Sequence, residues 1–303
     1  MSTLPKGIPV PGSGGGQCHR RRLASAAMGT FIFDGLSVHY LNEGAGDQAV
    51  VFLHGFPFRA SMWEPQFPVA VQAGRRAVAP DLPGFGRSAV PAERSAYSID
   101  GYADLVAALA GDLGLGPVVL VGLSMGGYIA LAVARRHPDV LAGLVLADTR
   151  ADPDRPEGRQ TRSDHQALVE ERGDVTPLVD GLLTRILAPA PSGDGGPRHA
   201  EVGAALGDMM RSTAPAGWIG ALEAMKQRTD QTDLLPSIAV PTLVVVGEGD
   251  ALAPVDVAEA MAKTIPAARL EIVPGAGHVS NLENPEVFNR ALAEFLSTLP
   301  TGP

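Results

Sequence analysis

Midway along the chain a single hydroxyl is enclosed by glycines. In "GLSMGG", Ser124 stands between Gly122 and the pair Gly126-Gly127, after the branched apolar run 118–121 and before a small-residue apolar stretch that reads as a helix. A serine at a sharp strand-to-helix turn is held clear of the backbone, above the helix N-terminus, where the Met125 N–H and the helix dipole can stabilise an oxyanion. Side chains two positions before or after the serine would collide with such a turn, which accounts for Gly122 and Gly126, while Gly127 and Ala130 let the helix lie close to its neighbours. A hydroxyl is a poor nucleophile at neutral pH, so this chemistry also needs a base within hydrogen-bond reach and a group that orients the base. Of the seven histidines, His19 lies in an N-terminal tract, His39 in a hairpin, His137 at the far end of a helix, and His165 and His199 in a long strand-free interval. His54 and His278 remain, and His278 follows a Pro/Gly-rich loop after the last strand-like run, from which it can swing over the neighbouring strand ends. Two aspartates end strand-like runs on the same edge, Asp148 in "VLADTR" and Asp250 in "GEGDAL". Asp250 is the favoured acid, because a tight turn with Gly247 and Gly249 aims it at the last loop and preserves the chain order Ser, Asp, His.

Such residues need a rigid edge to stand on. The runs at residues 49–55, 76–84, 117–122, 141–148, 241–250 and 269–278 are short, apolar and closed by turn residues, which is how strands buried on both faces look. "TFIFDGLSVHYLNEG" reads as a hairpin turning at Asp34-Gly35. Between the runs lie amphipathic segments such as 98–114, where Ser98 can cap a helix that buries Tyr102, Leu105, Val106, Leu109 and Leu113. Alternation of this kind predicts a mostly parallel sheet covered on both faces.

One interval breaks the alternation. Between Asp148 and Pro241 no strand-like run occurs. Helical stripes stand there instead, one of Leu178, Val179, Leu182, Leu183, Ile186 and Leu187, another of Trp218, Ile219, Leu222 and Met225, punctuated by the loops "ADPDRPEGR" and "APAPSGDGGPR". An insertion at the carboxyl end of a parallel sheet is placed to roof the crevice where such sheets bind ligands. Residues 152–236 are therefore expected to form a helical cap on a core made of 29–151 and 237–303.

Residues 1–28 read as a disordered extension. Their Gly/Pro/Ser tract has no apolar periodicity, and the arginines 20–22 are not followed by the apolar run a secretion signal needs. The formal charge of -9 argues against nucleic acid or an anionic membrane as partner, the more so because all four basic residues of the extension lie outside the folded part. A single cysteine, Cys18, fits a reducing cytoplasm. No His/Cys pair at metal spacing and no phosphate-cradling Gly-rich loop is present, so the chemistry calls for no cofactor and no metal.

From about Thr30 to Leu299 the chain resembles the α/β-hydrolase superfamily, in its capped esterase and lactonase branch, close to 3-oxoadipate enol-lactonase-like hydrolases, carboxylesterases and perhydrolases. The resemblance rests on five landmarks in order: "HGFP", "PDLPGFGRS", "GLSMGG", "GEGD" and "GAGHVSNLENP". It implies an α/β fold with the cap inserted after the sixth strand, and hydrolysis of a small carboxylic ester or lactone through Ser124, His278 and Asp250. It also implies that the backbone N–H of Phe56 is the second oxyanion donor beside Met125, with Gly55 permitting the turn and Pro57 fixing the chain's departure. His54 and Asp81 become structural loop residues. In this superfamily the acid can follow either the sixth or the seventh strand, so Asp148 stays open as the alternative. Phe58, Trp218, Leu222 and Met225 are expected to line the substrate pocket, and the Leu, Met and Trp content of the cap favours a mainly apolar acyl group. Epoxide hydrolases and haloalkane dehalogenases need a carboxylate where this chain has Ser124. A perhydrolase, a C–C bond hydrolase and a ligand-binding receptor on the same fold remain as alternatives.

Overall fold

In the computed structural model, which describes residues 26–189 and 196–300, the apolar runs become eight strands. They are β1 (Ala27–Phe33), β2 (Leu36–Glu43), β3 (Ala49–Leu53), β4 (Arg76–Pro80), β5 (Val118–Leu123), β6 (Leu141–Ala147), β7 (Thr242–Gly247) and β8 (Ala268–Val273). They form one sheet in the order β1-β2-β4-β3-β5-β6-β7-β8. The pairs β1/β2 and β2/β4 are antiparallel, and every pairing from β4 to β8 is parallel. The β1–β2 hairpin turns at Asp34 and Gly35, both with positive φ (47° and 78°), as a tight two-residue turn requires.

Alternation along the strands sorts the core into two halves. In β5, Val118 and Leu120 face one cluster, whereas Val119, Val121 and Leu123 face the opposite one. The helices in chain order are α1 (Phe67–Gln72), α2 (Ile99–Asp112), α3 (Met125–Arg136), α4 (Pro156–Arg172), α5 (Thr176–Ile186), α6 (Gly196–Ser212), α7 (Pro215–Lys226), α8 (Val255–Thr264), α9 (Ser280–Glu283) and α10 (Pro285–Ser297). The Ser98 hydroxyl accepts the Gly101 N–H at the start of α2, as its position in the sequence suggests. The helices α1 and α10 cover one face, and α2, α3 and α8 the other. All of α4 to α7 stand between β6 and β7, at the carboxyl edge of the sheet.

Three expectations change. Residues 1–25 lie outside the described residues, but Ala27 and Met28, assigned above to a disordered extension, pair with Asn42 and Leu41 in β1. The last strand, β8, is not buried on both faces: it is an outer strand, and Ile272 is 40% exposed. The presumed loop "ADPDRPEGR" ends earlier than expected, because Pro156 opens α4, where its missing N–H costs nothing.

The glycines of the strand-to-helix turn have the geometry expected of them. A Cβ on Gly122 would lie 2.2 Å from the Gly126 carbonyl oxygen, and one on Gly126 would lie 2.2 Å from the Leu53 carbonyl oxygen in β3. By contrast, Gly181 in α5 has open space where a Cβ would stand. Gly126→Ala should therefore destabilise the fold by about 1–3 kcal/mol or more. Gly181→Ala should stabilise it by about 0.5–1 kcal/mol. Urea denaturation of the two variants checks the contrast, and equal, small effects would contradict the packing described.

Candidate active site

Ser124 sits between the end of β5 and the start of α3 with φ 53° and ψ −113°, a conformation L-residues rarely adopt. Its N–H continues the sheet by donating to the Ala147 carbonyl at 3.0 Å. Its carbonyl receives the Gly127 N–H at 2.8 Å and the Thr149 hydroxyl at 2.8 Å. Backbone strain is thus tied down on both sides, and the side chain is left to face the cap.

The three residues singled out for chemistry meet there. Ser124 Oγ lies 2.8 Å from His278 Nε2, and His278 Nδ1 lies 2.8 and 3.0 Å from the two carboxylate oxygens of Asp250. An ionised carboxylate only accepts, so Nδ1 carries the proton and Nε2 is free to accept from the serine hydroxyl. Asp250 Oδ1 also accepts the N–H groups of Leu252 and Ala253, at 2.8 and 3.0 Å, which fixes the carboxylate in its turn. A Cβ on Gly247 would fall 2.0 Å from the Gly277 carbonyl oxygen, so only glycine lets the end of β7 come this close to the histidine loop. Glu248 points elsewhere and accepts the Gly275 N–H at 3.0 Å.

Asp148, the alternative acid, does not touch the histidine ring. Its Oδ1 accepts the Gly247 N–H at 2.8 Å, and its Oδ2 meets the Ser280 hydroxyl at 2.5 Å and the Ser280 N–H at 3.2 Å. It ties the ends of β6 and β7 to the loop that carries His278. Complete burial, reinforced by the Asp250 charge, pushes its carboxyl up to about 7. Burial opposes the His278 imidazolium, but the charge of Asp250 and its direct bond, with Asp148 and Glu283 beyond, outweigh burial and raise the histidine above its ordinary value of 6.5.

The other loop residues are accounted for by backbone contacts. His54 Nδ1 donates to the Gly55 carbonyl at 2.9 Å while Nε2 accepts the Leu82 N–H at 3.1 Å, and burial lowers its pKa, so it stays a neutral strut. Asp81 accepts the N–H groups of Ala60 and Arg87 at 2.8 and 2.9 Å. The backbone N–H groups of Phe56 and Met125 have no protein acceptor among the described residues.

A cavity of about 240 Å³ opens above Ser124 and His278, between the sheet edge and the cap. Leu222 and Met225 line it, as expected. Phe58 and Trp218 do not, and both are fully buried. The Phe58 side chain is drawn into the core between sheet and cap by the tight turn in which its N–H donates to the Gly55 carbonyl, at 2.9 Å. Trp218 packs edge-on against Phe56, 4.9 Å between ring centres, and its indole N–H donates to the Met210 carbonyl at 3.2 Å. It supports the Phe56 loop from behind. The wall also holds residues not foreseen from the sequence: Arg150 after β6, Arg162 and His165 from α4, and Arg185 from α5. The cavity therefore joins apolar side chains to a charged patch.

Two contacts seat the cap over the site. His278 donates its own N–H to the Ile186 carbonyl at the end of α5, at 2.7 Å, and Glu283 receives the N–H groups of Gly277 and Ala188, each at 2.8 Å. At the other hinge the buried Arg228 lies over the Tyr128 ring, 4.2 Å from its centre, and bonds Asp154 and the Asp152 carbonyl, each at 2.9 Å.

The fold agrees with the comparisons to known proteins. The pattern of the alpha/beta hydrolase fold family matches residues 48–285, and the chain belongs to that family. It is 30% identical to a putative non-heme chloroperoxidase of Synechocystis sp. over 86% of this chain and 95% of the relative. It is likewise 30% identical to a pimeloyl-[acyl-carrier protein] methyl ester esterase of Neisseria meningitidis, over 87% of this chain and 78% of the relative. Among solved structures, a thermophilic esterase from Thermogutta terrifontis superposes with a TM-score of 0.80 and 37% identity, covering 91% of this chain and 99% of the other.

The Asp148 environment has a consequence for stability. Because its folded-state pKa is raised, the folded protein holds a proton that the unfolded chain has released, and the stability this contributes is lost as pH climbs from the ordinary carboxylate range through about 7. Asp148→Asn should flatten that part of the profile. Denaturant midpoints measured across the range test it, and an unchanged slope in the variant would place the proton on another group.

Proposed function

We propose that the protein hydrolyses carboxylic esters or lactones through an acyl-enzyme on Ser124, without a cofactor. The observation that carries the reading is the continuous hydrogen-bond chain from Ser124 Oγ through His278 to Asp250, ending in the cavity under the cap. As Oγ attacks the substrate carbonyl, its proton passes to His278 Nε2, and the Asp250 carboxylate steadies the imidazolium and keeps the ring in the required tautomer. Negative charge collects on the former carbonyl oxygen, where the uncommitted Phe56 and Met125 N–H groups, the latter at the start of α3, form a preorganised pair of donors. The tetrahedral centre collapses, the alkoxide takes the proton from His278, and the alcohol leaves. In a lactone it stays tethered to the acyl group. Water then gives its proton to Nε2, attacks the acyl-enzyme, and the acid is released with Oγ reprotonated.

The esterase names among the relatives support this reading, and the absence of a carboxylate at position 124 separates it from dehalogenase chemistry. The chloroperoxidase relative favours one second reading on the same residues: hydrogen peroxide replaces water as the acceptor, and a peracid leaves instead of an acid. Among the described residues no helix is long and apolar enough to cross a membrane.

Ser124→Ala should keep the fold and lower ester hydrolysis by roughly 10⁴ to 10⁶, because nucleophile and base act as a unit. Asp250→Asn should lower kcat by roughly 10³ to 10⁴. Asp148→Asn, which leaves the ring contacts in place, should cost less than about tenfold, the scale of one lost hydrogen bond. Steady-state kinetics on short-chain p-nitrophenyl esters would distinguish the three. Retained turnover in the serine variant, or an Asp148 effect exceeding that of Asp250, contradicts the assignment.

A further inference from the structure

The charged wall of the cavity is the part of the molecule that ester hydrolysis alone does not require. Arg150, Arg162 and Arg185 all line the space that Ser124 and His278 line, against one carboxylate, Asp154. That carboxylate is already spent: Arg162 bonds it from the cap, and Arg228 bonds it at 2.9 Å from the hinge. Arg162 is therefore a neutralised member of the wall.

The other two guanidinium groups keep donors free. Arg150 engages Asp152 through Nε alone, at 2.8 Å, and its two terminal nitrogens bond no described residue. Arg185 has no carboxylate partner among the described residues, although it stands on a cap helix at the cavity mouth. Their placement is complementary. Arg150 reaches the cavity from the core side, two residues after Asp148 and next to Thr149, whose hydroxyl holds the Ser124 carbonyl. Arg185 reaches it from the cap, one residue before Ile186, whose carbonyl receives the His278 N–H. Two guanidinium groups with free terminal donors, one from the core and one from the cap, thus line one small space. His165, three residues after Arg162 in α4, lines the same wall, and burial, with the charges of Arg185 and Arg162, keeps it below its ordinary pKa and uncharged near neutrality.

A neutral ester gains nothing from such a wall, and desolvating two guanidinium groups against it is unfavourable. An anion changes the sign, because planar forks bind carboxylates through paired, charge-assisted hydrogen bonds. The cavity's volume of about 240 Å³ suits a compact anion such as a carboxylate. We propose that the cavity selects esters or lactones that carry a carboxylate, with Arg185 and Arg150 as the residues that hold it. The apolar side chains of Leu222, Met225 and Leu252 then flank the short carbon chain between the scissile carbonyl and the anion. This rests on the ester-hydrolase reading above and adds the substrate class to it.

The test compares matched pairs. Monomethyl succinate, glutarate and adipate are run beside methyl butanoate, pentanoate and hexanoate, and acetoxyacetate beside ethyl acetate, so that the charge is offered on either side of the ester bond. The wild type should prefer the anionic member of at least one pair by about tenfold or more in kcat/KM, the scale of one charge-assisted contact. Arg185→Gln should reduce that preference by about tenfold, chiefly through KM, and Arg185→Lys should restore part of it. Arg150→Gln should act in the same direction, with circular dichroism to confirm that it folds. Raising ionic strength should weaken the preference in the wild type. Neutral members turned over as well as or better than their anionic partners would overturn the proposal and leave ester hydrolysis standing. No turnover of any pair would remove both.

Discussion

A left-handed residue at the end of a parallel strand is the constraint on which the rest of this molecule depends. Ser124, at φ 53°, turns the chain from β5 into α3 within one residue, at a cost of about 1–3 kcal/mol for a side chain in that conformation. The turn closes only because Gly122 and Gly126 bring backbone to within a distance no Cβ could survive, with the Leu53 carbonyl of the next strand as the hard wall. The serine N–H is the last rung between β5 and β6, within the order β3-β5-β6. In return the hydroxyl stands at the sheet edge with two free backbone donors beside it.

The second organising feature is the set of carboxylates around one imidazole. Asp250 bonds the ring, Asp148 holds the loop that carries it, and Glu283 joins that loop to the cap. Each sits at a different layer of the site, and together they overcome burial and raise the His278 pKa. The cap is coupled to the same loop through the Ile186 carbonyl, so the roof and the base share a hydrogen bond. Cavity shape and base position are therefore not independent.

Much of this was legible in the sequence, and the limits were physical. The "GLSMGG" turn announces itself because its requirement is local: small residues at fixed offsets from a serine, between a strand and a helix. Asp250 could be preferred over Asp148 because turn glycines are also a local signal, but the Asp148 contact with Ser280 spans 132 residues and leaves no trace nearby. Phe58 and Trp218 were misplaced because an aromatic in a cap or an oxyanion loop reads alike whether it faces a cavity or the core. Only the partners, Gly55 for the Phe58 N–H and Phe56 for the Trp218 ring, tell the two apart. The arginines were invisible for the opposite reason. The helix α4 has only Gln166 and Val169 buried, so it carries no apolar stripe to mark its inner face, and Arg162 and His165 look like solvated surface until the helix is laid over the sheet.

The proposed chemistry requires that Ser124 be a nucleophile made reactive by His278. The direct measurement is the pH dependence of labelling by a fluorophosphonate, with the modified residue located by peptide mass spectrometry. The geometry predicts a single adduct on Ser124, formed at a rate that falls as pH drops through a value above 6.5, where His278 takes up its proton and can no longer accept one from Oγ. An adduct elsewhere, or labelling of Ser124 that is indifferent to pH across that range, would contradict it.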